Sequence, residues 1–140
     1  MNTGSSGKVS EVLVVEDNSG DLMLIKQTLE STPYPIRVHI ATDGEQALQW
    51  LESGLIQPRL IILDLNLPKV PGLFFLLRRK TDAPVVVFTS SSNSREQQRA
   101  LELGAREVIL KPTDLAAYRE RVIQMVRNWV QPNSSSATCG

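Results

Sequence analysis

Acidic, hydroxyl and basic residues stand directly after short apolar runs at regular intervals along this chain. Glu16 and Asp17 follow Val12 to Val15, Asp64 follows Leu60 to Leu63, Thr89 and Ser90 follow Val85 to Phe88, and Lys111 and Pro112 follow Glu107 to Leu110. Three carboxylates drawn into one place repel one another, which calls for a bound cation or raised pKa values. Carboxylate and carbonyl oxygens suit a hard divalent ion, Mg²⁺ first and Mn²⁺ or Ca²⁺ as substitutes, and no His or Cys set offers a zinc site. With the cation and Lys111 neutralising incoming charge, one carboxylate can attack an electrophilic phosphorus and hold it as an acyl phosphate. Asp64 is the candidate nucleophile, because it follows the central strand and lies between the acidic pair and Lys111. Thr89 then meets a phosphoryl oxygen that was absent before transfer, and a new ligand for its hydroxyl is a conformational trigger.

The segments that position these groups alternate in period. A short β-branched run at Val12 to Val15, apolar runs at Leu60 to Leu63 and Val85 to Phe88, and the segment Glu107 to Leu110 read as strands, and Ile36, Val38 and Ile40 alternate with Arg37 and His39 as an edge strand would. Between them, helical spacing predicts helices over Asp21 to Leu29, Glu45 to Leu51, Leu73 to Arg79 and Arg95 to Leu103, the last closed by Gly104. A final helix is expected from an Asp114 cap to about Val130, with Leu115, Tyr118, Val122, Val126 and Trp129 on one stripe. Five βα units with short connections predict an α/β fold, a doubly wound five-stranded parallel sheet in the order 2-1-3-4-5. Its ligand crevice lies outside the carboxyl ends of the strands, where the named polar residues fall.

Composition narrows the function classes. The chain has 140 residues with 15 Lys and Arg against 15 Asp and Glu, so one domain with a single core is expected and a generic polyanion binder is not. No direct nucleic-acid partner and no membrane partner are expected, since the apolar runs fall far short of a bilayer span. Cys139 has no partner in the chain, which suits a reducing, cytoplasmic setting. Residues 1–9 read as a flexible polar segment, 10–131 as the folded domain and 132–140 as a disordered tail.

The strings Val14-Val15-Glu16-Asp17-Asn18, Leu63-Asp64-Leu65-Asn66-Leu67-Pro68, Phe88-Thr89-Ser90 and Leu110-Lys111-Pro112 resemble the signature of two-component response-regulator receiver domains, from about Glu11 to Val130. The loop Glu16 to Asp21 further resembles stand-alone regulators that partner bacterial phytochrome-type sensor histidine kinases. The resemblance implies a flavodoxin-like (βα)₅ receiver in which Glu16 and Asp17 bind Mg²⁺, the Asn66 backbone carbonyl adds a ligand, and Asp64 accepts a phosphoryl group from a kinase histidine. It implies Thr89 as switch hydroxyl, Lys111 as partner of the phosphoryl group or of Asp64, and a cis peptide before Pro112. The output is then a downstream protein or a histidine phosphotransfer protein, and the chain is a signalling domain whose covalent chemistry is confined to its own phosphorylation and dephosphorylation.

Two departures from the family pattern stand out. Val108 replaces the aromatic often found three residues before the lysine, so activation must work through Thr89 and the following loop. Lys69-Val70-Pro71-Gly72 lacks the acidic residue that often precedes the glycine, which predicts a stiffer loop. Two rival functions are a phosphate-independent pseudo-receiver, which the full residue set opposes, and an aspartyl-phosphate phosphohydrolase, which needs an acid where Asn66 stands. Ser91 and the Asn66 amide are expected to tune attacking water and so the phosphoryl lifetime. His39 reads as a solvent-exposed strand residue, and Ser91 to Asn93 as a flexible loop. Trp129 and Val130 are read either as a cap on the core or as an apolar surface for a homodimer through the last helix.

Overall fold

A computed structural model describes residues 9–130. The expectations for the N-terminal segment before Val9 and for the tail from Gln131 on, Cys139 included, lie outside the described residues. Five strands, β1 (Ser10–Val15), β2 (Ile36–Ala41), β3 (Leu60–Leu63), β4 (Val85–Thr89) and β5 (Glu107–Leu110), alternate with five helices. These are α1 (Ser19–Ser31), α2 (Gly44–Ser53), α3 (Gly72–Arg78), α4 (Ser94–Glu102) and α5 (Leu115–Met125), the last continued by a π-helical turn over Val126–Val130. All pairings are parallel, and the strand order is β2-β1-β3-β4-β5. The doubly wound sheet and its order are those expected, with β2 at one edge.

The central strands read as unbroken apolar runs because both of their faces are covered. Val12 and Val14, Leu60 and Ile62, and Val86 and Phe88 pack with Ile25 and Leu29 of α1 and Tyr118, Val122 and Met125 of α5. The alternate residues, Leu13 and Val15, Ile61 and Leu63, and Val85 and Val87, pack with Ala47, Phe75, Leu76 and Ala100 of α2, α3 and α4. Each large side chain buried this way contributes about 1.5–3 kcal/mol. Four helices start on a side-chain cap, Asn18, Asp43, Asn93 and Asp114 each accepting an amide hydrogen bond from three residues on. Gly104 has φ 106°, as its place at the end of α4 requires.

Several local expectations are corrected. Leu115 is 49% exposed. The α5 stripe therefore begins at Tyr118, and within the π-helical turn Val126 and Val130 are buried while Trp129 is half-buried. The wider turn spacing rotates Val130 inward in place of Trp129. Trp129 Nε1 donates to Glu107 (3.3 Å) and its ring lies under the Arg106 guanidinium at 5.6 Å. Trp129 and Val130 are thus engaged within the chain, as the cap reading has it. The bond before Pro112 is trans, the ordinary preference of an X–Pro peptide. His39 is half-buried rather than solvent-exposed, its Nε2 lying 3.7 Å from the Glu11 carboxylate, because that side chain on the neighbouring strand folds over it. The Ser91 to Asn93 segment is ordered by hydrogen bonds, Ser91 Oγ donating to Glu96 (2.9 Å) and Gln97 Nε2 donating to the Ser91 carbonyl (3.0 Å).

Candidate phosphoacceptor site

Backbone pairing carries past the strand ends and pins the site. The Glu16 amide donates to the Ala41 carbonyl (3.0 Å), the Asp64 amide to Val15 (3.0 Å) and the Lys111 amide to Thr89 (2.7 Å). Side chains from β1, β3 and β5 are thereby brought to one end of the sheet, where the strand order reverses between β1 and β3. The loop after Asp64 is shaped by close packing. Gly72 donates its amide to the Leu65 carbonyl, and a Cβ there would lie 2.6 Å from the Asp64 carbonyl oxygen. Lys69 adopts φ 64°, and its ammonium faces Asp43 at 3.8 Å. A Cβ on Gly44 would lie 2.8 Å from the Val70 carbonyl oxygen, so the loop packs closely on the start of α2.

Lys111 is the hub. Its Nζ donates to Glu16 Oε1 at 2.7 Å, to Asp21 Oδ2 at 3.0 Å and to Asp64 Oδ2 at 3.4 Å. An ammonium has three N–H donors, and each finds a carboxylate. Glu16 is 2% exposed and Asp64 6%. Burial pushes the Glu16 carboxyl up to about 7, with Asp64 adding to the rise and the Lys111 hydrogen bond opposing it. For Lys111, burial works to lower the ammonium pKa, but Glu16, Asp64 and Asp21 outweigh it and the pKa is raised. Lys111 therefore stays charged at neutral pH.

Asp64 is the most loosely held of these carboxylates. Oδ1 accepts one 3.3 Å hydrogen bond from the Asn66 amide, and Oδ2 accepts the 3.4 Å bond from Lys111. Glu16 Oε2, by contrast, accepts the Asn18 amide at 3.1 Å while Oε1 holds Lys111 tightly. Thr89 is fully buried and its Oγ1 accepts the Ser91 amide at 3.1 Å. Asp17 and Asn66 are exposed beside the cluster. The carboxylates that Lys111 joins are Glu16, Asp21 and Asp64.

Sequence reasoning missed Asp21 and Tyr118. Asp21 lies in the first turn of α1, its own amide capped by Asn18 (2.9 Å), and was legible only as a helix-start residue. Helical spacing places Tyr118 on the apolar stripe of α5, yet its hydroxyl donates to Asp21 Oδ1 at 2.5 Å. Burial and the Asp21 carboxylate together raise the phenol pKa, so the group remains a donor. A buried tyrosine needs a partner for its hydroxyl, and that requirement was the available signal.

Among the described residues no three acidic side chains form a ready-made metal cage. The donors nevertheless fit Mg²⁺. All are hard oxygens, and this ion uses one or two carboxylates while keeping several waters.

Fold and site together define a class of α/β module with buried acids and one lysine at the carboxyl edge of a doubly wound sheet. The chain belongs to the response regulator receiver domain family, whose model matches residues 12–123. It is 32% identical over 133 residues to the probable methanogenesis regulatory protein FilR2 of Methanothrix harundinacea, covering 89% of this chain and 86% of that one. It is 35% identical over 130 residues to protein-glutamate methylesterase/protein-glutamine glutaminase 1 of Myxococcus xanthus, covering 88% of this chain and only 37% of that enzyme. Among solved structures it resembles the phosphorylated cyanobacterial phytochrome response regulator RcpA, with TM-score 0.82 and 30% identity over 88% of this chain and 95% of that one. The Mn(2+)-bound form of response regulator Rcp1 gives TM-score 0.77 and 30% identity over 84% and 92%. The chain is thus a receiver domain of the phosphorelay kind, a family that works with histidine kinases and binds divalent metal. Among the described residues no helix is long and apolar enough to cross a membrane.

Proposed function

We propose that Asp64 is the phosphoacceptor and that Glu16 and Asp17, with Asp64 and the Asn66 carbonyl, hold Mg²⁺. The observation that carries this reading is the Asp64 carboxylate, buried beside Lys111 and held by two hydrogen bonds of 3.3 and 3.4 Å, the weakest hold on any carboxylate in the cluster. A carboxylate oxygen of Asp64 attacks the phosphorus of a kinase phosphohistidine, the P–N bond breaks, and the imidazole nitrogen leaves with the electron pair and takes a proton. A bound Mg²⁺ supplies charge neutralisation for the phosphoryl oxygens. Lys111 turns an N–H toward the phosphoryl group, and the Thr89 hydroxyl donates a hydrogen bond to a phosphoryl oxygen. These contacts exist in only one state and so shift a two-state equilibrium in the segment after β4.

The likeness to the cyanobacterial phytochrome response regulator RcpA supports a light-sensing or related histidine kinase as the donor. The output partner is a downstream protein or a histidine phosphotransfer protein, and the same reading makes this a cytoplasmic protein without turnover chemistry. Intact mass after incubation with Mg²⁺ and a small acyl or amidophosphate donor tests the assignment. One phosphoryl group should appear on the unaltered protein, and none on Asp64→Asn or with the metal chelated. Steady donor consumption without an adduct would favour a phosphohydrolase, and neither event would leave a docking module.

A further inference from the structure

We infer that Asp21, held by Tyr118, is a positioning residue that keeps Lys111 beside the acid cluster so that Glu16 and Asp64 can turn to a cation. The inference rests on the metal assignment proposed above. Lys111 cannot serve three carboxylates and also leave two of them to Mg²⁺ unless one partner remains to hold it. Glu16 and Asp64 are the assigned ligands, and Asp21 is the remaining one.

Its geometry suits that role. Both Asp21 oxygens already have a partner, Oδ1 the Tyr118 hydroxyl at 2.5 Å and Oδ2 Lys111 at 3.0 Å, so it is the carboxylate held from two sides. Its contact with Lys111 is shorter than that of Asp64, at 3.0 Å against 3.4 Å. Tyr118 is itself immobilised, buried on α5 with its ring edge-on to Phe88 at 5.0 Å between centroids. A rigid aromatic donor thus fixes a carboxylate, and the carboxylate fixes the ammonium. Without that anchor Lys111 collapses onto Glu16 and Asp64 and competes with Mg²⁺ for the same oxygens.

The test is Mg²⁺ binding to the metal-free full chain by calorimetry, compared among the unaltered protein, Asp21→Asn and Tyr118→Phe, with thermal melting run in parallel. Asp21→Asn should weaken Mg²⁺ binding by roughly tenfold, the scale of one charge-assisted hydrogen bond. Tyr118→Phe leaves every charge in place and should weaken binding by roughly threefold, since Asp21 loses its anchor but keeps its own bond to Lys111. The ¹⁵N signal of the Lys111 ammonium should stay protected from exchange when Mg²⁺ is added to the unaltered protein and lose that protection in Tyr118→Phe. Weaker binding in Asp21→Asn with unchanged binding in Tyr118→Phe would reduce Asp21 to background charge and overturn the inference. Lower melting temperatures with unchanged Mg²⁺ affinity would show a purely structural role and overturn it too. If the unaltered protein binds no Mg²⁺, the metal reading fails and the inference with it; if it binds but the variants bind equally, only the role of Asp21 fails.

Discussion

Lys111 concentrates more of the site's electrostatics than any other side chain, since its ammonium is the cation to which Glu16, Asp21 and Asp64 all hydrogen-bond. It is only 7% exposed, so solvent screens these contacts little. Removing one partner of a buried ion pair is strongly destabilising, and Lys111→Met should cost the metal-free protein about 3 kcal/mol in urea unfolding. Added Mg²⁺ should recover part of that loss, since it binds the folded state and shields the same carboxylates. A loss below about 1 kcal/mol would mean that the carboxylates simply take up protons. Phosphoryl lifetime also belongs to this scale. The Ser91 hydroxyl is committed to Glu96, whereas the Asn66 side chain is exposed beside Asp64. Decay of the phosphorylated protein, followed by intact mass, should therefore change more in Asn66→Ala than in Ser91→Ala; equal rates in all three proteins would remove both residues from that role.

Among the elements, α3 and the loop before it shape the acceptor most directly. Gly72 permits the helix start to press on the backbone of Asp64 and Leu65, where a Cβ would come within 2.6 Å. Gly72→Ala should cost about 1–3 kcal/mol by overpacking and also slow phosphorylation by a small donor, because the displaced backbone carries Asp64. Gly104→Ala provides the contrast. Its φ of 106° and the Arg79 guanidinium 2.7 Å away make it destabilising, yet it touches no site residue, so the phosphorylation rate of the folded protein should not change. Equal slowing in both variants would show that general instability governs the rate. The elements themselves were largely legible: β3 and β5 coincide with the segments Leu60 to Leu63 and Glu107 to Leu110, and α5 starts on Asp114. The π-helical turn at Val126–Val130 was not, because helical spacing in sequence assumes a constant period that the turn alters.

For the molecule as a whole, two apolar layers enclose a sheet whose open end carries the acids, so anything that satisfies those acids stabilises the folded state alone. Saturating Mg²⁺ at about 100 times its dissociation constant should add about 2.7 kcal/mol to folding, read as a rise in melting temperature. Asp64→Asn should shrink that rise, and an unchanged rise would remove Asp64 from the ligand set. At this scale Trp129 and Val130 tie the end of the last helix to the rest of the domain, Trp129 through Glu107 and Arg106 and Val130 through the core.

The fold and the chain order of the polar strand ends, which puts Glu16, Asp64, Thr89 and Lys111 at one end of the sheet, were determined by the sequence alone. Period and punctuation are local properties, and a right-handed crossover leaves few ways to arrange five βα units. Which carboxylates Lys111 holds was decided only by the tertiary structure. Asp21 and Tyr118 lie 90 and 7 residues from Lys111 in the chain, and nothing local ties either to it. They meet because α1 and α5 cover the same face of the sheet, which brings a first-turn aspartate and a stripe tyrosine to the end where the lysine emerges. Hydrogen bonds between distant segments are set by packing angle and burial, quantities that emerge only once the layers close.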